Sequence, residues 1–216
     1  MHDDLKRYLN QQLDLFGDEL ILSEEVEKVL VDPEKKLAEL KRVIESCRKC
    51  DLWKTRTNTV FGSGNFNARL AFIGEAPGRD EDLQGKPFVG RAGMLLERLL
   101  KTIGIKRDEV FIGNVLKCRP PNNRTPSSFE VSQCEPYLVA QLQLIRPRLI
   151  VCLGLTAAKT LLKVEYTLGQ FRQNMFKYHG IDVLVTYHPA AVLRNPNLEK
   201  FIREDFEKIK RLYSES

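Results

Sequence analysis

A chain of 216 residues, 43% hydrophobic and 29% charged, has the material for one packed domain with an appendage, at roughly 150 residues per domain. Its net charge of +5 permits attraction to phosphates without demanding it, and no apolar run approaches the roughly 18 residues of a membrane span. The start, Met1-His2-Asp3-Asp4-Leu5-Lys6-Arg7, lacks the apolar core of a secretory signal, so a reducing, cytoplasmic setting is expected, where five cysteines argue for metal binding or catalysis over disulfides.

Residues 1–34 are polar, broken by Gly17 and Pro33, and read as an N-terminal extension to a folded domain over 35–216. Within the extension, Gln12-Leu13-Asp14-Leu15-Phe16 resembles the bacterial sliding-clamp binding box, in which leucine and phenylalanine anchors fill a pocket on the clamp. The alternative is a short amphipathic helix with Leu13 and Phe16 packed on the domain. Residues 34–46 have helical spacing, with Leu37, Leu40 and Ile44 on one face, and deliver Cys47 and Cys50. The stretch from Trp53 to Ala68, with Gly62 and Gly64, reads as loop.

Leu70-Ala71-Phe72-Ile73 is an apolar run of strand length, followed by a Gly- and Pro-rich loop from Gly74 to Gly90 and a helical pattern over 92–100. Val110 to Val115 forms a second strand that ends in Cys118-Arg119-Pro120-Pro121-Asn122-Asn123-Arg124-Thr125-Pro126. Ser127 or Ser128 caps a helix that carries Cys134 and runs to Leu144. A third strand over 148–153 passes through Gly154 into a helix over 156–162. A hairpin-like segment, Phe171 to Tyr178, precedes a fourth strand over 182–187, the loop His188 to Pro196, and a last helix over 198–212 with Phe201, Ile202, Phe206 and Ile209 inward. Strands alternating with helices predict a three-layer α/β/α domain around a central, mainly parallel four-stranded sheet. Ligands of such sheets sit beyond the carboxyl ends of the strands.

Cys47, Cys50, Cys118 and Cys134 suit either a [4Fe–4S] cluster or zinc; the wide split of the second pair favours the cluster. Unrelated buried thiols are the alternative. Arg48, Lys49, Arg119 and Arg124 would offset a cluster's charge or touch phosphates. Cys152, inside a strand, reads as core.

Taken together, Gly74-Glu75-Ala76-Pro77-Gly78, Gly85-Lys86-Pro87-Phe88-Val89-Gly90, Asn114 before Cys118-Arg119-Pro120-Pro121, and His188-Pro189 with Leu193-Arg194-Asn195-Pro196 resemble family 4 of the uracil-DNA glycosylases, the iron–sulfur branch, over residues 38–212. The resemblance implies a [4Fe–4S] cluster on Cys47, Cys50, Cys118 and Cys134 and excision of uracil flipped out of DNA. Phe88 would stack on the base, and the Asn114 amide would pair with uracil N3–H and O4. His188 would donate to O2 as the C1′–N1 bond breaks. Ala76 stands where related families carry a water-orienting carboxylate, which leaves Glu75 or a loop carbonyl to hold the water. Ala76 and Pro77 would line the base, and Glu81 would wall off a 5-methyl group. No lysine is evidently placed to attack C1′, which favours a monofunctional enzyme, though Lys86 lies nearby. Val192 and Leu193 would enter the duplex as apolar wedges, and Arg194, like Arg119 and Arg124, would contact phosphates. A monomer associated with the nucleoid is expected. The rivals are a non-catalytic iron–sulfur DNA-binding module, a glycosylase for hypoxanthine or xanthine, and a structural zinc domain.

Overall fold

A computed structural model of the protein describes residues 33–214. The chain divides into Met1–Lys36 and Leu37–Ser216. The Gln12–Phe16 peptide lies outside the described residues. The first helix, α1 (Pro33–Ser46), buries Leu37, Leu40 and Ile44, and it stops one residue before Cys47.

Among the described residues, six strands, with β1 (Ser63–Gly64) and β5 (Phe176–Tyr178) at the two edges, form one sheet in the order β1-β3-β2-β4-β6-β5. Its centre is parallel: β3 (Phe111–Asn114), β2 (Leu70–Gly74), β4 (Leu149–Leu153) and β6 (Ile181–Thr186). Every residue of β2, β3 and β4 is buried, which is why these strands read as unbroken apolar runs and not as alternating ones. Helix α3 (Arg91–Thr102) and the last helix, α8 (Glu199–Ser214), pack on one face, where Leu96, Leu99, Phe206 and Ile209 join Leu70, Phe72, Val151 and Leu184. Phe72 and Phe206 stack with ring centroids 5.8 Å apart. The alternate residues Ala71, Ile73, Ile150, Cys152, Val183 and Val185 are buried on the other face. There α5 (Leu155–Leu162) packs on β4 and β2. The three layers and the four parallel core strands match the sequence expectation.

Both edges differ from it. The stretch expected as loop contains β1 (Ser63–Gly64), paired antiparallel with β3. A Cβ on Gly64 would fall 1.9 Å from the Val110 carbonyl oxygen, so only glycine lets the two backbones come this close. The hairpin-like segment is half helix: Phe171 is buried in α6 (Leu168–Gln173), capped by the Thr167 hydroxyl, and only β5 (Phe176–Tyr178) pairs antiparallel with β6. The remaining α-helices among the described residues are α2 (Arg79–Gln84), α4 (Ser128–Ile145) and α7 (Pro189–Arg194). No helix among the described residues is long and apolar enough to cross a membrane.

Candidate active site and thiol pocket

A cavity of about 450 Å³ opens where β2, β3, β4 and β6 end, and Glu75, Ala76, Pro77, Glu81, Phe88, Asn114 and His188 all line it. Four separate strands therefore bring together residues that stand more than 100 positions apart.

Asn114 is the last residue of β3 and is 2% exposed. Its Oδ1 has no hydrogen-bond partner among the described residues, an expensive condition for a buried acceptor. Gly74 ends the neighbouring strand. A Cβ there would stand 2.4 Å from Asn114 Oδ1 and 2.7 Å from Phe88 Cζ, so the missing side chain is what lets carboxamide and ring share one space.

Phe88 adopts φ +50°, a left-handed conformation that costs a bulky residue energy and persists only when its surroundings impose it. Two charged side chains impose it. Glu81 accepts hydrogen bonds from the N–H groups of Gly78, Val89 and Gly90 at 3.1, 2.9 and 3.0 Å. Arg107 donates to the carbonyls of Phe88 and Pro87 at 3.0 and 2.5 Å. Glu81 thus lines the cavity with its carboxylate committed to bracing the loop.

The Phe88 ring lies 5.5 Å, centroid to centroid, from the imidazole of His188. His188 is the N-cap of α7, and its Nδ1 accepts from the Ala190 N–H at 3.1 Å. A nitrogen that accepts carries no proton, so the ring proton sits on Nε2. Burial, aided by the charge of Arg194, lowers the His188 pKa to about 4, so the imidazole is neutral at physiological pH. Opposite, Thr156 in the first turn of α5 donates from Oγ1 to Glu75 Oε2 at 2.5 Å. The carbonyls of Gly74 and Glu75 accept from the N–H groups of Val115 and Leu116.

The rim corrects two expectations. Val192 is 4% exposed and packed in the core, because its helix presses that side chain onto the sheet, so it does not project as a wedge. Leu193, next to it, is 43% exposed, and Arg194 is exposed while lining the cavity. Arg124 also lines the cavity, but its guanidinium is engaged by Glu130 at 2.8 and 2.6 Å, so it is a brace and not a free phosphate contact. That pairing holds the Glu130 carboxyl down at about 2. Arg119 donates to Asn123 Oδ1 at 2.7 Å. Lys86 is exposed and is not among the residues that line the cavity.

Cys47, Cys50, Cys118 and Cys134 line a single second pocket. The four are free thiols, two of them buried and two half-buried. Arg56 donates to Cys118 Sγ at 3.2 Å, and the Lys117 backbone N–H donates to Cys134 Sγ at 3.2 Å. Both contacts favour sulfur that carries negative charge. Burial opposes that charge and pushes the Cys134 thiol up to about 12, so a bound metal would have to drive the protons off. Among the described residues, no three His, Cys, Asp or Glu side chains are gathered closely enough to hold one metal ion. Of the cations expected beside the thiols, Lys49 lines the pocket, joined there by Arg56 and Lys117, whereas Arg119 and Arg124 are held by Asn123 and Glu130. Cys152 is core, as expected.

Sequence reasoning missed Thr156, Gly74's spacing role, Arg107, Arg56 and Lys117. Thr156 was the most accessible of these, since it stands two residues past Gly154, just beyond a core strand's carboxyl end.

Residues 61–210 match the model of the uracil DNA glycosylase superfamily. The chain is 51% identical over 181 residues to a type-4 uracil-DNA glycosylase of Archaeoglobus fulgidus, which covers 80% of this chain and 91% of that protein. It is 46% identical over 185 residues to the type-4 enzyme of Sulfurisphaera tokodaii, covering 82% and 84%. It is 48% identical over 181 residues to that of Saccharolobus solfataricus, covering 79% and 83%.

Proposed function

The chain belongs to the uracil-DNA glycosylase superfamily, and from that premise we propose that it is a monofunctional DNA-repair enzyme that hydrolyses the bond between uracil and deoxyribose, leaving an abasic site. The observation that carries this reading is Asn114 Oδ1, a buried acceptor without a donor among the described residues, in a cavity roomy enough to admit a nucleobase. Uracil N3–H supplies that donor, and the Asn114 amide N–H pairs with O4. Cytosine presents a lone pair at N3 and leaves the acceptor unpaired, at a cost of about 1–3 kcal/mol.

The extruded base stacks on Phe88. As the C1′–N1 bond breaks, its electron pair passes to the base, and His188 Nε2–H donates to O2, where charge grows. One such donor is worth roughly 3–4 kcal/mol in the transition state. Because the imidazole is neutral, it stabilises the anion by donation and not by an ion pair. Glu75, its carboxylate held by Thr156, orients the water that adds to C1′ and accepts the water's proton. No lysine is among the residues lining the cavity, so hydrolysis is favoured over strand cleavage through an imine. Leu193 fills the gap left in the duplex and Arg194 contacts a flanking phosphate.

We also propose that Cys47, Cys50, Cys118 and Cys134 hold a [4Fe–4S] cluster, supported by their shared pocket and by the donors aimed at sulfur. A cluster's ligands stand apart on its corners, so they need not converge on one ion. When bound, the cluster would supply a rigid crosslink between the end of α1 and the segment after β3. Analysis should find roughly four irons per chain. The peptide Gln12–Phe16 is proposed to bind a sliding clamp, on its resemblance alone.

The direct test is incubation with a labelled, uracil-bearing oligonucleotide. Strand scission only after alkali is expected. Scission before alkali would make the enzyme a lyase, and no scission at all would overturn the reading. A panel with hypoxanthine and xanthine should give no release.

A further inference from the structure

Lys117 belongs neither to the base cavity nor to the thiol set, and the mechanism leaves it unused. Yet it is 1% exposed, a rare place for a lysine. Two neutral acceptors hold its ammonium: the Asn114 backbone carbonyl at 2.7 Å and Gln141 Oε1 at 2.6 Å. Gln141 is itself fully buried and donates from Nε2 to the Phe61 carbonyl at 2.8 Å. From its other end, Lys117 offers its backbone N–H to Cys134 Sγ and is followed by Cys118. It therefore lines the thiol pocket and reaches back three positions to grip the residue that reads the base.

A buried cation is costly unless firmly paired, and packing alone would be served by an apolar side chain of the same length. What the ammonium adds is a fixed point for Asn114. That residue needs one, because its Oδ1 sits where a single extra carbon on Gly74 would collide, and a recognition group must be held within about 0.5 Å of its productive place.

We propose that Lys117 is a positioning residue for uracil recognition, holding Asn114 in register with the segment that carries Cys118 and contacts Cys134. The inference rests on the uracil-excision and cluster readings above.

The test uses the full chain carrying Lys117→Met, a straight apolar replacement. Three quantities are measured beside wild type: iron per chain, inhibition by free uracil, and affinity for DNA containing an abasic site and no base. Iron content and abasic-DNA affinity should stay within twofold of wild type, while inhibition by free uracil weakens at least tenfold. Uracil inhibition within twofold of wild type overturns the proposal. An equal loss in uracil and abasic-DNA binding also overturns it, since that is the mark of general damage. Should Lys117→Met not fold or load iron, the test passes to Gln141→Leu, which removes one of the ammonium's two acceptors and so loosens its hold on Asn114. A severalfold weakening confined to uracil supports the proposal, and unchanged uracil inhibition again overturns it. Wild type that releases no uracil would instead sink the function itself, so the two failures are distinguishable.

Discussion

His188 carries its single proton on Nε2 because Ala190 occupies Nδ1, and it stays neutral because burial disfavours the imidazolium. Its folded pKa of about 4 lies below the ordinary 6.5, so the stability it contributes is present above 6.5 and is lost as pH falls towards 4. The donor form persists over the same range, and single-turnover excision should show no titration of this group between pH 5 and 8. A rate that followed a pKa near 6.5 would refute the neutral-donor role. His188→Ala should lower kcat by roughly a hundredfold or more, the loss of one oxyanion-type donor. Gly74→Ala should be equally severe without contacting substrate, since the new carbon displaces Asn114 and Phe88; misplacement of about 1 Å costs on the order of a hundredfold. Retained activity in that variant would show that the cavity yields. At this scale Asn114 and His188 were legible because they stand at or just past the ends of core strands, and Phe88 because Pro87 and Gly90 bound it in a turn-rich loop. Thr156 and Arg107 were not, because their roles exist only through partners 81 and about 20 residues away. Val192 misled because a short helix after a loop looks exposed until its packing is known.

Among the elements, α4 links both sites. Its N-cap Ser127 and Glu130 form a reciprocal capping box, and Glu130 also holds Arg124 at the cavity wall. One turn later the same helix presents Cys134. Glu130→Ala should cost about 1–2 kcal/mol in urea unfolding through the lost cap alone. The wild-type carboxyl is held at about 2 against an ordinary 4.5, so its contribution is present above pH 4.5 and lost as pH falls towards 2. The Ala variant should therefore lie closest to wild type at the acid end, and a constant difference across that range would remove the ion pair from the explanation. The core strands were legible as apolar runs because both faces are covered. β1 was not, since two residues show no period. Phe171 looked like strand because aromatic residues favour sheets, but the Thr167 cap and the burial of its helix outweighed that preference.

For the molecule as a whole, a net charge of +5 favours association with a polyanion such as DNA. Arg194→Ala should weaken DNA binding evenly across sequences and reduce the slope of log affinity against log salt by about one. An unchanged slope would place Arg194 off the phosphate backbone. Deleting residues 1–34 should abolish clamp binding while leaving excision from short oligonucleotides intact, and retained clamp binding would discard the Gln12–Phe16 assignment. The cavity's walls come from loops after four parallel strands, so a bound base bridges segments that otherwise open singly. Amide exchange should consequently slow in all four loops together when uracil is added, including at backbone positions that never touch it, as a keystone quiets every stone of its arch.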